Sequence, residues 1–316
     1  MIIKKDKITI MTKTEKIEKI KELKIKKDAV ILAHYYVSDE VQEIADYIGD
    51  SYFLSKKATE LTNKTIVFAG VSFMGESAKL LNSEKTVLMP DMTADCPMAH
   101  MVTKEVIDKA RAEYDDLSVV CYINSTAEIK SWSDVCVTSA NAVRIVKNLP
   151  NKHILFIPDK NLGHYVAKMV PEKEFVFNDG YCPRHEFMKA DEVKELMSEH
   201  PGVKVLAHPE CNSEILELAD YIGSTTGIIN YSRESEDKEF IICTVMGVNY
   251  ELKRLRPDAK FYFTKTPPVC VNMMKNSLEK IIDVLENGKN EMKLPEEEIG
   301  EKAKLTLDRM LELAAR

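Results

Sequence analysis

No two cysteines in this 316-residue sequence form a CxxC pair, although there are seven of them. That absence removes the zinc-ribbon, thioredoxin-like and ferredoxin-like spacings, in which a short loop presents two sulfurs to one centre. If metal is bound, the fold must gather its ligands from distant parts of the chain. No segment approaches the ~20 consecutive apolar residues of a membrane span, and the first residues hold no apolar run of signal-peptide length. The expected location is therefore the cytoplasm, where thiols stay reduced and a disulfide framework is not expected. An excess of basic residues is missing too. With 44 Lys and Arg against 51 Asp and Glu, the formal charge is -7, which argues against a broad nucleic-acid surface and leaves any anionic ligand to local positive potential. Low-complexity tracts are also absent. What remains is an ordinary globular composition, 45% hydrophobic and 30% charged, in a chain long enough for two or three compact units.

Repetition is what the sequence does have. LAHYYVSDEVQEIADYIGDS, from Leu32 to Ser51, returns at Leu206 to Thr225 as LAHPECNSEILELADYIGST, ungapped and identical at ten of twenty positions. Halfway along that offset, VCYINSTAEIKSWSDVCVTS (Val120 to Ser139) falls in the same register: Glu40, Glu128 and Glu214 align, as do Asp46, Asp134 and Asp220, and Ser51, Ser139 and Thr225 close the three segments. Each copy is followed by a strand-like run, a turn containing glycine and a helical pattern, beginning at Thr65, His153 and Glu239. A further apolar run then ends on a cysteine. From His34 to Cys96, Tyr122 to Cys182 and His208 to Cys270 the spacings are 62, 60 and 62 residues, so the cysteine belongs to the repeat.

A period of 86 to 88 residues exceeds that of a solenoid and suits a small domain. Within one repeat, VILAHY, DYIGDS, TIVFAG and TVLMPD are strand-like and separated by helical patterns. This βαβαβαβ order predicts an α/β fold with parallel sheets and right-handed crossovers. The expected organisation is three αβα sandwich repeats around a pseudo-threefold axis, at 28–98, 99–184 and 185–270, between an N-terminal helical extension (1–27) and C-terminal helices (271–316). Ser38 and Asn212 are N-cap types, and Ser125 with Glu128 reads as a capping box. Ile17, Ile20 and Leu23 share one face of a short amphipathic helix, and Leu278, Ile281, Ile282 and Leu285 mark another.

Ligands of parallel α/β sheets gather at the carboxyl ends of strands, and here those ends carry the distinctive residues. With the three edges facing inward, Cys96, Cys182 and Cys270 converge. Three thiolates can hold a 4Fe-4S cluster by three irons and leave the fourth open as a Lewis acid; zinc is the other metal that takes three thiolates. Cys121, Cys136, Cys211 and Cys243 lack this equivalence and read as packing residues, with Cys211, beside Glu210, the one among them placed to line a pocket. Ser51, Ser139 and Thr225 stand where a strand hands over to a helix, each a potential anion seat. His34 and His208 each precede by two residues a side chain on the same side of the strand, and these two, Tyr36 and Glu210, are equivalent in position and unlike in chemistry. A carboxylate suits a general base and a phenol a proton donor.

Through AHYY, IADYIGDS, YINSTAE, DVCVTSANA, PDKNLG, AHPEC and the three separated cysteines, the sequence resembles the quinolinate synthase family over roughly residues 28 to 313. It departs from the common pattern in VSFMGESAK, where a histidine is usual at the second position, and in TADCPMA, where Gly-Cys-Ser is frequent. The resemblance implies a central 4Fe-4S cluster held by Cys96, Cys182 and Cys270. It also implies condensation of iminoaspartate with dihydroxyacetone phosphate to quinolinate, phosphate and water in NAD biosynthesis, with an enzyme that supplies iminoaspartate as a possible partner. Carried over motif by motif, the substrate contacts are His34, Ser51, Tyr122, Asn124, Ser139, His208, Glu210 and Thr225, with Tyr36 and Glu210 catalytic. Two other readings fit a triplicated chain: the diphthamide-forming cluster enzyme, and a non-catalytic binder of metal or dicarboxylate.

Overall fold

The computed structural model describes residues 11–315. Its strands form three separate four-stranded sheets, all parallel. The first holds β1 (Ala29–His34), β2 (Tyr47–Gly49), β3 (Thr65–Ala69) and β4 (Thr86–Leu88) in the order β2-β1-β3-β4. The second repeats that order with β5 (Leu117–Tyr122), β6 (Val135–Val137), β7 (His153–Ile157) and β8 (Glu174–Phe177) as β6-β5-β7-β8. The third does so with β9 (Lys204–Ala207), β10 (Tyr221–Ile222), β11 (Glu239–Cys243) and β12 (Lys260–Tyr262) as β10-β9-β11-β12. Helices flank every sheet, so the α/β class with three αβα units expected from the repeats is the architecture found.

In each sheet the strand order reverses between the first and third strands, the topological switch point at which a crevice opens beyond the carboxyl ends. The central strands β1 and β5 are buried along their whole length, as continuous apolar runs covered by helices on both faces must be.

One of the aligned acidic residues has a purely structural use. Asp46, Asp134 and Asp220 each precede the short second strand, and each accepts the backbone N–H of a first-strand residue: Ile31 at 2.8 Å, Val119 at 2.7 Å and Val205 at 2.8 Å. The second strand starts too late to satisfy that donor, so the side chain extends the ladder by one bond, worth about 1 kcal/mol net. The cap assignments hold in part. Asn212 accepts from Ile215 N–H at 3.1 Å, whereas Ser38 stands at the N-cap without a side-chain cap bond. The expected capping box at Ser125 is displaced by one residue: Thr126 is the N-cap and accepts from Ile129 N–H at 3.3 Å, while Ser125 donates its hydroxyl to the Tyr122 carbonyl at 3.0 Å. The adjacent hydroxyl wins because Ser125 is already engaged in closing the turn after β5.

Apolar packing divides unevenly. The first two sheets share one continuous core with helix Lys13–Lys27 and the C-terminal helices Leu278–Asn287 and Glu297–Ala315, while the third sheet has a smaller core on each face. Ile20 and Leu23 are buried in the shared core, with Ile17 packed against it; the first ten residues of the expected extension lie outside those described. The third unit meets the first at a close backbone crossing. A Cβ on Gly247 would lie 2.7 Å from Tyr36 Cα and 2.8 Å from the Tyr35 carbonyl oxygen, and Gln42 clasps the same crossing by donating to the Gly247 carbonyl at 2.9 Å. Backbone atoms cannot swing aside. Gly247→Ala is therefore expected to cost about 1 to 3 kcal/mol of stability and to displace Tyr36, which denaturation together with a tyrosine-specific NMR label would show.

Candidate active site

The carboxyl edges of the three sheets meet at one pocket, and every site residue expected from the sequence lines it. His34, Tyr36 and Ser51 come from the first repeat, Tyr122, Asn124 and Ser139 from the second, and His208, Glu210 and Thr225 from the third, with Cys96, Cys182 and Cys270 among them. Cys211 lines a neighbouring cleft instead. Cys121, Cys136, Cys211 and Cys243 are all fully buried, in keeping with a packing role.

The hydroxyls reach the pocket because other residues cap the helices. Asp50 caps helix Ser51–Glu60 by accepting from Phe53 N–H at 3.0 Å, and Ser224 caps helix Thr225–Glu234 by accepting from Gly227 N–H at 3.1 Å. Ser51 and Thr225 are thus the first helical residues rather than the caps. Ser139 lies in the turn before helix Ala142–Asn148, where the Asn141 side chain accepts from Thr138 N–H at 2.7 Å.

The two equivalent histidines are held alike. His34 Nδ1 accepts the Tyr36 N–H at 3.2 Å, and His208 Nδ1 accepts the Glu210 N–H at 3.4 Å. With Nδ1 an acceptor, the proton of each neutral ring sits on Nε2, where His208 donates to Ser139 Oγ at 3.1 Å. Burial favours that neutral form, pushing His34 down to about 4 and His208 to about 3.

Between Tyr36 and Glu210 runs a row of groups that the repeats do not announce. Glu210 accepts from His185 Nδ1 at 2.7 Å. His185 Nε2 lies 2.9 Å from Thr244 Oγ1, Thr244 Oγ1 lies 2.7 Å from the Tyr36 hydroxyl, and that hydroxyl lies 2.8 Å from Thr225 Oγ1. An ionised carboxylate only accepts. With a neutral imidazole, His185 Nδ1 therefore donates to Glu210 and Nε2 accepts from Thr244, so Thr244 accepts from Tyr36 and Tyr36 from Thr225. Burial works against the Glu210 charge, but the charge of His185 and His208 when they are protonated, with hydrogen bonds from His185 and the Tyr122 hydroxyl, holds the carboxyl below its ordinary range. Burial and the Glu210 charge push Tyr36 far up, so its phenol keeps its proton.

The three thiols share a local design. Cys96 and Cys182 are the N-caps of short helical turns and Cys270 stands two residues before the N-cap of another, and in each case the backbone N–H groups two and three residues further on favour the thiolate: Met98 and Ala99 for Cys96, Arg184 and His185 for Cys182, Asn272 and Met273 for Cys270. Against this, burial raises all three, Cys96 to about 12, with Cys270 adding to the rise at Cys96 and Cys96 to that at Cys182. Sulfurs close enough to oppose one another's ionisation, each cradled by backbone donors, form a set that a cationic inorganic centre would relieve. A 4Fe-4S cluster fits such a donor set. A second grouping, Cys182 Sγ, His185 Nδ1 and a Glu210 oxygen within 4.8 Å of one another, could also hold a metal, although His185 and Glu210 are already paired. Carboxylates fix two of the cysteines through their backbone N–H groups, Asp95 at Cys96 (2.8 Å) and the fully buried Asp159 at Cys182 (3.1 Å).

His185, Thr244, Asp95 and Asp159 are what sequence reasoning missed. His185 follows Cys182 by three residues, but Ala99 and Met273 occupy that place after Cys96 and Cys270. A search keyed to equivalence between repeats passes over a residue that only one repeat has.

Proton-carrying groups brought into one enclosed place serve bond making more than mere retention of a ligand, and they define a three-unit α/β enzyme. Comparison with known proteins then gives the family. The family model described as Quinolinate synthetase A protein matches residues 18–312. A quinolinate synthase of Fusobacterium nucleatum is 53% identical over 94% of this chain and 99% of its own length. Those of Caldicellulosiruptor bescii (50%) and Clostridioides difficile (49%) each cover 93% of this chain and 97% of their own. The chain belongs to the quinolinate synthetase A family. Among the described residues no helix is long and apolar enough to cross a membrane.

The depressed histidines set a pH dependence. Their ordinary value is 6.5, so below that pH the unfolded chain takes up protons that the folded one refuses, and stability falls as pH drops towards 4. At pH 5 the loss is roughly 2 kcal/mol for each ring. Anaerobic melting curves at pH 7, 6 and 5 are expected to show a steeper acid decline for the wild type than for His34→Asn.

Proposed function

We propose that this protein is a quinolinate synthase of NAD biosynthesis. It would condense iminoaspartate with dihydroxyacetone phosphate, releasing quinolinate, phosphate and water, in the cytoplasm and with Cys96, Cys182 and Cys270 holding a 4Fe-4S cluster. The observation that carries the reading is the meeting of three repeat-equivalent thiols with the unlike pair Tyr36 and Glu210 in one pocket; the family match supports it and speaks against a diphthamide-forming enzyme or a non-catalytic binder. When bound, the cluster would supply an open iron able to polarise a departing hydroxyl.

The chain's own residues do the rest. Glu210, ionised and held by His185, is the base for enol and enamine tautomerisation. The row through His185 and Thr244 ties it to Tyr36, whose phenol keeps its proton and can donate it as water leaves. His34, neutral and with Nε2–H available, donates a hydrogen bond to a substrate oxygen without adding charge, and His208, neutral too, can turn its Nε2–H from Ser139 to the substrate. Asn124 Oδ1 and Thr138 Oγ1 are buried at the pocket wall without a hydrogen-bond partner among the described residues, and a substrate amine or hydroxyl would satisfy them. Ser51 and Ser139 offer hydroxyls to carboxylate or phosphate oxygens, Thr225 lines the pocket with its hydroxyl given to Tyr36, and Tyr122 closes the wall beside Glu210.

Two variants test separate parts. Glu210→Gln keeps the shape but not the base, and quinolinate formation is expected to fall by about 10²- to 10⁴-fold with the visible absorption unchanged; a near-normal rate would refute the assignment. Cys182→Ser is expected to bleach that absorption and lower the iron and sulfide content of anaerobically purified protein. An unaltered spectrum would remove Cys182 from the cluster.

A further inference from the structure

Resting on the reading just given, every substrate of this site is an anion, yet the site is poor in cations. Among the described pocket residues the carboxylates are Asp50, Asp95 and Glu210, and Arg184 is the only lysine or arginine. His34 and His208 are neutral, so neither offsets the acidic groups.

Arg184 differs from the other charged residues of the pocket in having no commitment. Asp50 caps a helix, Asp95 is bonded to His100 and Cys96 N–H, and Glu210 to His185. The Arg184 side chain, by contrast, makes no hydrogen bond or ion pair with any described residue and is exposed. Even the neighbouring Lys160 is tied to Glu186 at 3.1 Å. Arg184 occupies the single turn Pro183–Glu186 directly after Cys182, and its charge also acts on Cys270. It therefore stands at the mouth between two of the three sulfur-bearing turns. An unpaired surface arginine is ordinary elsewhere. Here it is the one positive group on the way into an acidic, low-dielectric pocket, where field lines are focused, and its planar fork matches carboxylate and phosphate oxygens in pairs.

We infer that Arg184 is the anion-recruiting residue of this enzyme, meeting the carboxylate or phosphate end of each incoming substrate at the pocket mouth. Its part is capture and orientation, and the chemical steps belong to Glu210 and Tyr36.

The test uses anaerobically prepared holoenzyme as wild type, R184Q, R184K and R184E. Quinolinate, a dianion, is titrated into each by calorimetry at low and high salt, and kcat/KM is measured over the same range. R184Q is expected to bind quinolinate about tenfold more weakly at low salt, with a flatter salt dependence of both binding and kcat/KM. R184K should keep the salt dependence but lose part of the affinity, falling between wild type and R184Q, and R184E should lose more than R184Q. Equal affinity and equal salt slopes in all four proteins would overturn the inference. Failure of the catalytic reading has a different signature: wild-type enzyme that binds quinolinate but forms none from its substrates.

Discussion

A parallel sheet delivers its chemistry at one edge only, because all its strands end there and all its helices begin there. The structure depends on three such edges being turned towards one another. Strand order, the handover from strand to helix, and the cysteine that closes each repeat then bring three sets of side chains to one place without any long loop having to find its way there. Close approach is the condition for this. At Gly247 the third unit passes so near the Tyr35–Tyr36 backbone that even a methyl group has no room, and the distances between Tyr36, Thr225 and Thr244 follow from that crossing.

Much of this was legible in the sequence, and its visibility had one source. Duplicated chains preserve position, so residues in register, such as His34 with His208 and Cys96 with Cys182 and Cys270, could be matched before any geometry was known. The alternation of short apolar runs with helical patterns gave the parallel sheets for the same reason. Register does not reveal use, however. Asp46, Asp134 and Asp220 align as well as the cysteines do, and they serve the strand ladder. His185 and Thr244 have no counterparts to betray them, and only the fold shows that they join Glu210 to Tyr36. The one-residue slip at Ser125 and Thr126 has a simpler cause: two adjacent hydroxyls compete for one cap, and a turn carbonyl already claims the first.

Threefold similarity and catalytic need pull in different directions. A symmetric site can bind a symmetric centre, and the thiols, each with its pair of backbone donors, keep that symmetry. Proton transfer requires inequality. On the proposed chemistry, a carboxylate in one repeat where another has a phenol would provide it, while the supporting clasp stays intact, since the His34 and His208 rings accept the equivalent backbone N–H in both.

The row from Thr225 to Glu210 has two self-consistent arrangements of its hydrogens. With a neutral imidazole at His185 every O–H points towards the carboxylate; were that ring to carry a second proton, Nε2 would become a donor and each hydroxyl in turn would swing the other way. Apart from the added proton, the two states differ by rotation about C–O bonds and need no displacement of a heavy atom. A charge gained at one repeat can thus be felt as a reversed dipole at another, across a path built of side chains that never leave their places.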